Sequence, residues 1–497
     1  MRSRLLALAG GAAAAASVPP FGYWPLAFLG VALLALALHN ASPRARFGRG
    51  FVFGLGLFGV GLFWMREFSL PGFVLALLLH SAMYGLGALL VPKRAGQLLA
   101  LPGALLLAEL LRSRWPWGGV PLAGLDLGQA GGPLLPIASL GGRFALILAT
   151  AAVGCAGLAI VRALASGKPR AALGALVACA VVVGGVGVGW RQLNDTSQGS
   201  ISVVIVQGGG PRGTRAADTD EREVFLRHLN LASTSTQAVD LMVWPEDVID
   251  VETFAQSREA GELVTLSDAT GTPIVAGAVE DAPSDRYWVF SQMVEPGVGL
   301  ADRYDKVHLV PVGEFFPFRS TISRLADVPS RDAISGEGPA VIDTSVGRLG
   351  MVISYEVFFG DRTRSAVQAG GVALLVPTNA SSFKTGQVPG QELAASRIRA
   401  VETNRDVAQA APTGFSGFIS HRGRVVQRSS LGAAQLLYGS LQRRTGETPY
   451  VRFGDEPAIL LSCALVVFGM VWRRSKSADG SAKSAKSAKG SKKSTSD

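Results

Sequence analysis

Long apolar runs and short apolar runs divide the chain into two kinds of segment. Long runs fill the first 190 residues and return once near the C-terminus, at 4–18, 21–39, 51–65, 72–92, 97–111, 133–161, 171–190 and 457–472. A helix that crosses a membrane needs about 20 mostly apolar residues, so each run predicts a span once flanking residues are added. The pattern therefore predicts an eight-helix transmembrane bundle, with seven spans before a more polar segment and one after it.

Between residues 200 and 450 the apolar runs are short, rich in Val and Ile, and separated by helical patterns. The strand patterns lie at 201–207, 240–246, 272–280, 348–356, 371–379 and 406–414. The helical patterns lie at 221–232, 361–371 and 391–405. Runs of this kind are typical of strands buried on both faces. Their alternation with helices predicts an α/β domain, in which chemically active groups gather where buried strands end.

Composition and charge agree with a membrane protein and exclude a nucleic-acid binder. The chain has 497 residues, of which 48% are hydrophobic and only 17% charged, whereas soluble domains carry about 25% charged residues. The net charge of +10 is unevenly placed: residues 1–190 carry +11, residues 473–497 carry +6, and the segment between them carries −7. The α/β domain therefore lies in the acidic part of the chain, which excludes it as a nucleic-acid-binding domain, because such domains present a basic surface.

The positions of the basic residues predict the topology. Ten of the 14 basic residues in 1–190 lie at the N-terminus or on the connections 40–50, 93–96 and 162–170. An excess of Lys and Arg marks the cytoplasmic side. Both termini are therefore expected in the cytoplasm, with the α/β domain outside the cytoplasmic membrane. The first run also has the pattern of a secretory signal peptide, but the spans that follow it directly favour a membrane helix.

Four regions follow from these patterns. They are an N-terminal transmembrane domain of seven spans at 1–192, an extracytoplasmic α/β domain at 200–450, a C-terminal transmembrane helix at 457–472 and a disordered Lys/Ser-rich cytoplasmic tail at 473–497. All three cysteines lie in predicted spans, and the five histidines lack metal-ligand spacing. No disulfide, metal or cofactor is predicted.

Polar residues stand out near three strand patterns of the α/β domain. The apolar run LMVW is followed by Pro245 and Glu246. Lys306 lies among aromatic and apolar residues, and Glu314 follows eight residues later. The apolar run MVI ends at Ser354. A small residue at a sharp strand-to-helix turn has the geometry of a nucleophile elbow. Each feature alone also has a structural interpretation: a turn carboxylate, a snorkelling surface lysine and a small residue that fills a tight turn.

In this order and spacing the chain resembles the apolipoprotein N-acyltransferases, membrane-embedded members of the nitrilase-like carbon–nitrogen hydrolases. The segments that carry the resemblance are RWPWGG at 114–119, WPE at 244–246, YDKVHLVPVGEFFP at 304–317, SYE at 354–356 and VPTN at 376–379. It implies an αββα sandwich for the extracytoplasmic domain and a monomer in the bacterial inner membrane, without a cofactor. It also implies a phospholipid acyl donor and, as acceptor, the N-terminal amine of a lipoprotein's diacylglyceryl-cysteine.

The resemblance further implies a Glu–Lys–Cys triad that works by a ping-pong mechanism through an acyl-enzyme. Glu246 would be the general base, and Lys306 would stabilise the oxyanion of the reacting carbonyl. Ser354 occupies the position of the family's nucleophilic cysteine. The residues implied to hold this triad and to shape the substrate pocket are Glu314, Tyr355 and Glu356.

Ser354 is the departure from the family pattern. A cysteine thiol has a pKa near 8.5 and supplies some thiolate at neutral pH, whereas a serine hydroxyl is a weak nucleophile without a strong base. Impaired activity is therefore expected. Three explanations stay open: an introduced replacement, a natural serine that works with Glu246 and Lys306, or a natural pseudoenzyme that binds lipid or lipoprotein without turnover. A membrane-tethered amidase would share the same three residues.

Overall fold

The computed structural model describes residues 1–214, 219–322 and 331–472. The tail at 473–497, for which the sequence predicts disorder, lies outside the described residues. The helices are α1 (Arg2–Ser17), α2 (Pro25–Leu38), α3 (Pro43–Gly61), α4 (Met65–Phe68), α5 (Leu70–Leu89), α6 (Gln97–Arg112), α7 (Ala138–Ala165), α8 (Leu173–Gln192), α9 (Glu221–Ala232), α10 (Arg258–Thr270), α11 (Arg319–Ile322), α12 (Gly360–Gln368), α13 (Gln387–Thr403), α14 (Pro449–Phe453) and α15 (Glu456–Trp472).

Each of the eight apolar runs coincides with a helix, although their lengths differ. Among the described residues, three helices are long and apolar enough to cross a membrane: Leu70–Leu89, Leu135–Ala165 and Leu173–Gln192. Two shorter apolar helices are Pro25–Leu38 and Glu456–Trp472. The helix α8 leaves apolar side chains on its surface, and a contiguous exposed apolar surface of this kind suits contact with lipid.

The connection predicted at 40–50 is mostly helical, so that part of the prediction was wrong. The Ser42 hydroxyl accepts a hydrogen bond from the backbone N–H of Ala45 at 3.4 Å, and Pro43 occupies the first helical position. Both features favour a helix start. The helix α3 therefore begins at Pro43, well before the apolar run, and the basic residues of this segment lie on its first turns.

The α/β domain contains two sheets. The strands are β1 (Ser200–Gln207), β2 (Leu241–Val243), β3 (Ile249–Val251), β4 (Ile274–Ala282), β5 (Arg286–Glu295), β6 (Gly299–Asp305), β7 (Asp332–Ile334), β8 (Val341–Thr344), β9 (Gly347–Met351), β10 (Leu374–Pro377), β11 (Val407–Ala410), β12 (Gly417–Ile419), β13 (Val425–Arg428) and β14 (Gln435–Gln442). The first sheet has the order β14-β1-β2-β4-β5-β6, with β3 also paired to β4 and β7 to β5. The second has the order β13-β12-β11-β10-β9-β8. Parallel pairs form the centre of each sheet.

Burial on both faces of the central strands makes the domain a layered sandwich. In β1 the side chains of Val203 and Ile205 join the core that contains residues of both sheets, whereas Val204 and Val206 pack in a second core with α9 and α10. Successive side chains of a strand point to opposite faces, so one strand serves both cores. The helices α12 and α13 pack against the second sheet. The predicted α/β domain is confirmed.

Polar contacts from α13 hold the α/β domain against the N-terminal helical part of the chain. The Gln391 side chain donates to the carbonyl oxygen of Gly61 at 2.9 Å and accepts from the N–H of Ala123 at 2.9 Å. At the other end of the same helix, Glu402 accepts from the N–H of Arg143 at 2.7 Å. These buried backbone groups are satisfied only when the two parts are docked, which fixes their relative orientation.

Candidate active site

A buried lysine lies at the centre of the site. Lys306 follows β6 directly and is 1% exposed. Its Nζ donates to Glu246 Oε1 at 2.8 Å and to Glu314 Oε1 at 2.5 Å. Burial alone would lower the pKa of Lys306, but attraction to the two carboxylates outweighs it and holds the pKa well above its ordinary value. The snorkelling surface lysine considered from the sequence is therefore excluded, and the site contains a charged ammonium.

The first carboxylate stands on a tight turn at the end of β2. Glu246 is buried, and this burial raises its pKa even though Lys306 attracts the charged form. Across the sheet, the N–H of Gly277 donates to the carbonyl oxygen of Pro245 at 3.1 Å. A Cβ at position 277 would come within 2.3 Å of that oxygen. Glycine is therefore required for the close approach that seats the turn carrying Glu246.

Ser354 occupies a strained backbone position next to this carboxylate. It begins a short 3-10 turn, Ser354–Phe358, just after β9, and its φ is +50°. The left-handed region is uncommon for residues other than glycine and is frequent at functional turns. The Ser354 side chain is close enough to favour the charged form of Glu246, against the larger effect of burial on the pKa of that carboxyl, and Ser354 is itself buried. The structure therefore brings the three sequence-predicted residues together, with Glu246 contacting both Lys306 and Ser354.

Glu356 is an internal support of this arrangement. Its carboxylate accepts hydrogen bonds from the Tyr304 hydroxyl at 2.9 Å and from the backbone N–H groups of Val307 at 2.8 Å and Ile353 at 2.7 Å. It is fully buried. One carboxylate thus links the segment after β6 to the turn at Ser354. Glu314 supports the site differently, through its direct contact with the lysine.

Tyr355 connects the site to the membrane helices. Its hydroxyl donates to the carbonyl oxygen of Gly119 at 2.7 Å, in the loop after α6. Tyr355 also lines a cavity of about 710 Å³, together with the aromatic rings of Trp117, Phe315 and Phe359. The side chains of Glu246, Lys306 and Ser354 do not line this cavity. Two of its wall residues, Tyr355 and Val307, are the direct sequence neighbours of Ser354 and Lys306. A cavity with both aromatic and charged walls therefore lies next to the candidate site, at the junction of the two parts of the protein.

Comparisons with known proteins agree with this two-part organisation. Residues 10–156 match the family described as the apolipoprotein N-acyltransferase N-terminal domain, and residues 203–450 match the carbon-nitrogen hydrolase family. An apolipoprotein N-acyltransferase of Methylococcus capsulatus is 29% identical over 98% of this chain and 99% of that protein. One of Mycolicibacterium smegmatis is 28% identical over 93% of this chain and 83% of that protein. The chain belongs to the apolipoprotein N-acyltransferase family.

Solved structures similar to this member of the apolipoprotein N-acyltransferases come from the nitrilase superfamily. A Saccharomyces cerevisiae protein of branch 10 of that superfamily is 21% identical, covers 50% of this chain and 91% of its own, and has a TM-score of 0.39. An amidase from Nesterenkonia sp. is 17% identical, covers 53% of this chain and 97% of its own, and has a TM-score of 0.37. In the described part of this chain, no cluster of three or more His, Cys, Asp or Glu side chains is placed to hold a metal ion.

Three polar residues near the triad of this N-acyltransferase family member were missed from the sequence. Asp247 follows the predicted base and is half-buried, and desolvation of its carboxyl raises its pKa well above the ordinary value. The Asn379 side chain donates to Asp247 at 3.4 Å; it belongs to the VPTN segment, but no role was predicted for it. Glu392 on α13 is buried, and burial raises its pKa to about 8. The only sequence signal for Glu392 was its position in a helix that also carries apolar residues.

The strained turn predicts a difference between two inactive variants. The free energy of unfolding of Ser354→Gly is expected to exceed that of Ser354→Ala by about 0.5–1 kcal/mol. A left-handed residue with a Cβ costs roughly 1–2 kcal/mol, and the larger unfolded-state entropy of glycine offsets part of that gain. Both variants lack the hydroxyl, so the comparison isolates the backbone. Thermal or denaturant midpoints in detergent measure the difference, and equal midpoints would show that the turn is unstrained.

Proposed function

We propose that this chain transfers an acyl group from a membrane phospholipid to the N-terminal amine of a lipoprotein's diacylglyceryl-cysteine, through an ester on Ser354. The observation that carries the proposal is a single chain of contacts. Lys306 Nζ lies 2.8 Å from Glu246 Oε1, and the Ser354 side chain is close enough to Glu246 to favour its charged form. Relatives that align with nearly the whole chain are named apolipoprotein N-acyltransferases, which supports this reaction over other reactions of a carbon-nitrogen hydrolase domain.

In the first half-reaction, Glu246 removes the proton from the Ser354 hydroxyl while Oγ attacks the carbonyl carbon of a phospholipid ester. The carbonyl oxygen becomes negatively charged, and the Lys306 ammonium stabilises that charge. When the oxyanion collapses, the bond to the glycerol oxygen breaks. The leaving oxygen takes the proton from Glu246 and departs as lysophospholipid. The acyl chain then remains on Ser354 as an oxygen ester.

In the second half-reaction, the neutral amine of the acceptor attacks the ester carbonyl. Glu246 takes a proton from the nitrogen, and Lys306 again stabilises the oxyanion. The bond from the carbonyl carbon to Ser354 Oγ breaks, and the proton on Glu246 restores the hydroxyl. An oxygen ester is a less activated acyl donor to amines than a thioester, so this form of the enzyme is expected to turn over slowly.

The charge balance of the buried cluster suits proton transfer. Glu246, Glu314 and Lys306 together carry one net negative charge when all three are ionised. Protonation of Glu246 therefore makes the cluster neutral and leaves no excess positive charge in a buried site. Glu314 keeps its contact of 2.5 Å with the lysine, so the ammonium stays oriented while the base changes its protonation state.

The proposal includes the arrangement in the membrane. The seven apolar helices within 1–192 and the helix at 457–472 would all span the bilayer of a bacterial inner membrane, with both termini in the cytoplasm. The domain at 200–450 would lie on the extracytoplasmic side, where the phospholipid donor and the lipoprotein acceptor meet. The eight apolar helices and the basic residues on alternate connections support this topology. We propose that the protein acts as a monomer.

Reconstitution tests the proposed function against an amidase and against a protein that only binds. The purified chain is placed in proteoliposomes with a synthetic diacylglyceryl-cysteine peptide, and peptide acylation and lysophospholipid are measured together. Both products are expected, and both should require phospholipid. Hydrolysis of small soluble amides in detergent without phospholipid would identify an amidase instead. Products no greater than those of the Ser354→Ala variant would identify a protein that binds without turnover.

A further inference from the structure

A second cavity lies between the membrane helices and the α/β domain, apart from the reactive triad. Its volume is about 410 Å³. Its walls come from the segment 131–136, the end of α8, the helix α13 and the turn between β12 and β13. None of the three triad residues lines it. The acyl-transfer reaction therefore gives this cavity no role.

Among the described residues, the cavity is lined by three arginines and by no carboxylate. Arg397 is half-buried, and its Nε donates to the carbonyl oxygen of Gly423 at 2.7 Å. Within the described residues, neither Arg397 nor Arg424 forms an ion pair with an acidic side chain, and burial alone lowers the pKa of Arg397. Arg422 is different, because it pairs with Asp195 at 2.7 Å. Within the described residues, the guanidinium groups of Arg397 and Arg424 thus have no acidic partner, and both residues line this partly open cavity.

The cavity opens beside a helix whose apolar side chains face outward. Trp190, which also lines the cavity, stands near the end of α8 and is 45% exposed. The backbones are closely packed here, since a Cβ at Gly189 would lie 2.3 Å from the carbonyl oxygen of Pro136. Tryptophan at the end of a span marks the boundary between hydrocarbon and headgroups. In the membrane arrangement proposed above, the arginines beside Trp190 would stand at the depth of lipid phosphates.

We propose that this cavity binds the phosphate of an anionic membrane phospholipid, with Arg397 and Arg424 as the donors and Trp190 at the start of its acyl chains. The planar guanidinium matches a phosphate through two parallel N–H bonds and keeps its charge when partly desolvated. Free phosphate offers the same oxygen atoms, but the exposed apolar helix beside the cavity favours a lipid. Because Arg397 lies on α13, the bound lipid would also fasten the α/β domain to the bilayer surface.

Native mass spectrometry of the full chain in detergent tests this site. Phosphatidylglycerol and phosphatidylcholine are titrated separately into the parent protein, the double variant Arg397→Gln with Arg424→Gln, and Arg258→Gln. Arg258 lies on α10 with its side chain 76% exposed, so its substitution removes surface charge far from the cavity walls. The parent and Arg258→Gln are expected to retain one tight phosphatidylglycerol, and the double variant is expected to bind it at least fivefold more weakly. Phosphatidylcholine should show little difference.

Two further measurements keep the outcomes distinct. A melting midpoint in detergent verifies that the double variant is folded; if it is not, Arg424→Gln alone, at an exposed side chain, should still weaken binding at least twofold. Unchanged phosphatidylglycerol binding in a folded variant would overturn the proposal. Inorganic phosphate that displaces the lipid at equal concentration would also overturn it, because the site would then recognise the free anion. None of these results depends on acyl transfer by Ser354.

Discussion

Replacing Ser354 by cysteine is expected to raise the rate of acyl transfer at least tenfold, equivalent to about 1.4 kcal/mol of activation free energy. A thiol ionises near pH 8.5, and Glu246 needs to supply much less driving force to form a thiolate than an alkoxide. The gain should appear in both half-reactions. The first gains from the better nucleophile, and the second gains because a thioester transfers its acyl group to an amine more readily than an oxygen ester does.

The measurement for Ser354→Cys is the initial rate of lysophospholipid release without an acceptor, followed by the rate of peptide acylation with one. Ser354→Ala is the control, since it keeps the backbone position and removes the nucleophile. The serine and cysteine side chains differ by one atom, and the strained φ of +50° is a property of the turn that both residues inherit. A folded cysteine variant no faster than the alanine variant would show that residue 354 is not the nucleophile.

Replacing Lys306 by methionine is expected to abolish measurable transfer and to destabilise the α/β domain. Removal of one oxyanion donor typically lowers kcat by about 10²–10³. Removal of one partner from a buried ionic cluster typically costs about 3–5 kcal/mol, because the remaining charge loses its compensation. Here both Glu246 and Glu314 would lose the ammonium that lies 2.8 Å and 2.5 Å from them.

The control for this variant is Lys168→Met, because Lys168 is exposed on the connection between α7 and α8. Denaturation midpoints and transfer rates are compared for both variants in the same detergent. Lys168→Met should match the parent protein in both measurements. A Lys306→Met variant that keeps its activity would exclude the lysine as the oxyanion donor, and one that keeps its stability would show that the two carboxylates are protonated in the folded protein.

The proximity of Glu246, Lys306 and Ser354 could be predicted from the sequence because all three follow buried strands or the turns at their ends. The runs before Glu246 and Ser354 are short, apolar and bounded by polar residues, and such patterns predict both the strand and the place where chemistry gathers. The helix at 221–232 was predicted with the observed limits, Glu221–Ala232, since a capping Asp220 and a regular apolar face agree there.

Other features could not be predicted because they depend on contacts between distant segments. Glu356 was expected to support the triad or to shape the substrate pocket, but its partners were not predicted: its carboxylate accepts hydrogen bonds from donors that lie about 50 residues earlier in the chain. The desolvation of the Asp247 and Glu392 carboxyls arises because the turn after β2 and the helix α13 both pack beside Glu246. Residue spacing along a helix or strand does not indicate which polar side chain faces that volume.

Acyl transfer through Ser354 is tested most directly by peptide mass spectrometry, after the protein is incubated with phospholipid that carries an isotopically labelled acyl chain. We expect a labelled acyl ester on Ser354 that disappears when a diacylglyceryl-cysteine peptide is added, while label appears on the amine of that peptide. The same adduct should be absent from Glu246→Gln. If labelled product accumulates while Ser354 stays unmodified, with label on another residue or on none, then Ser354 does not carry the acyl group.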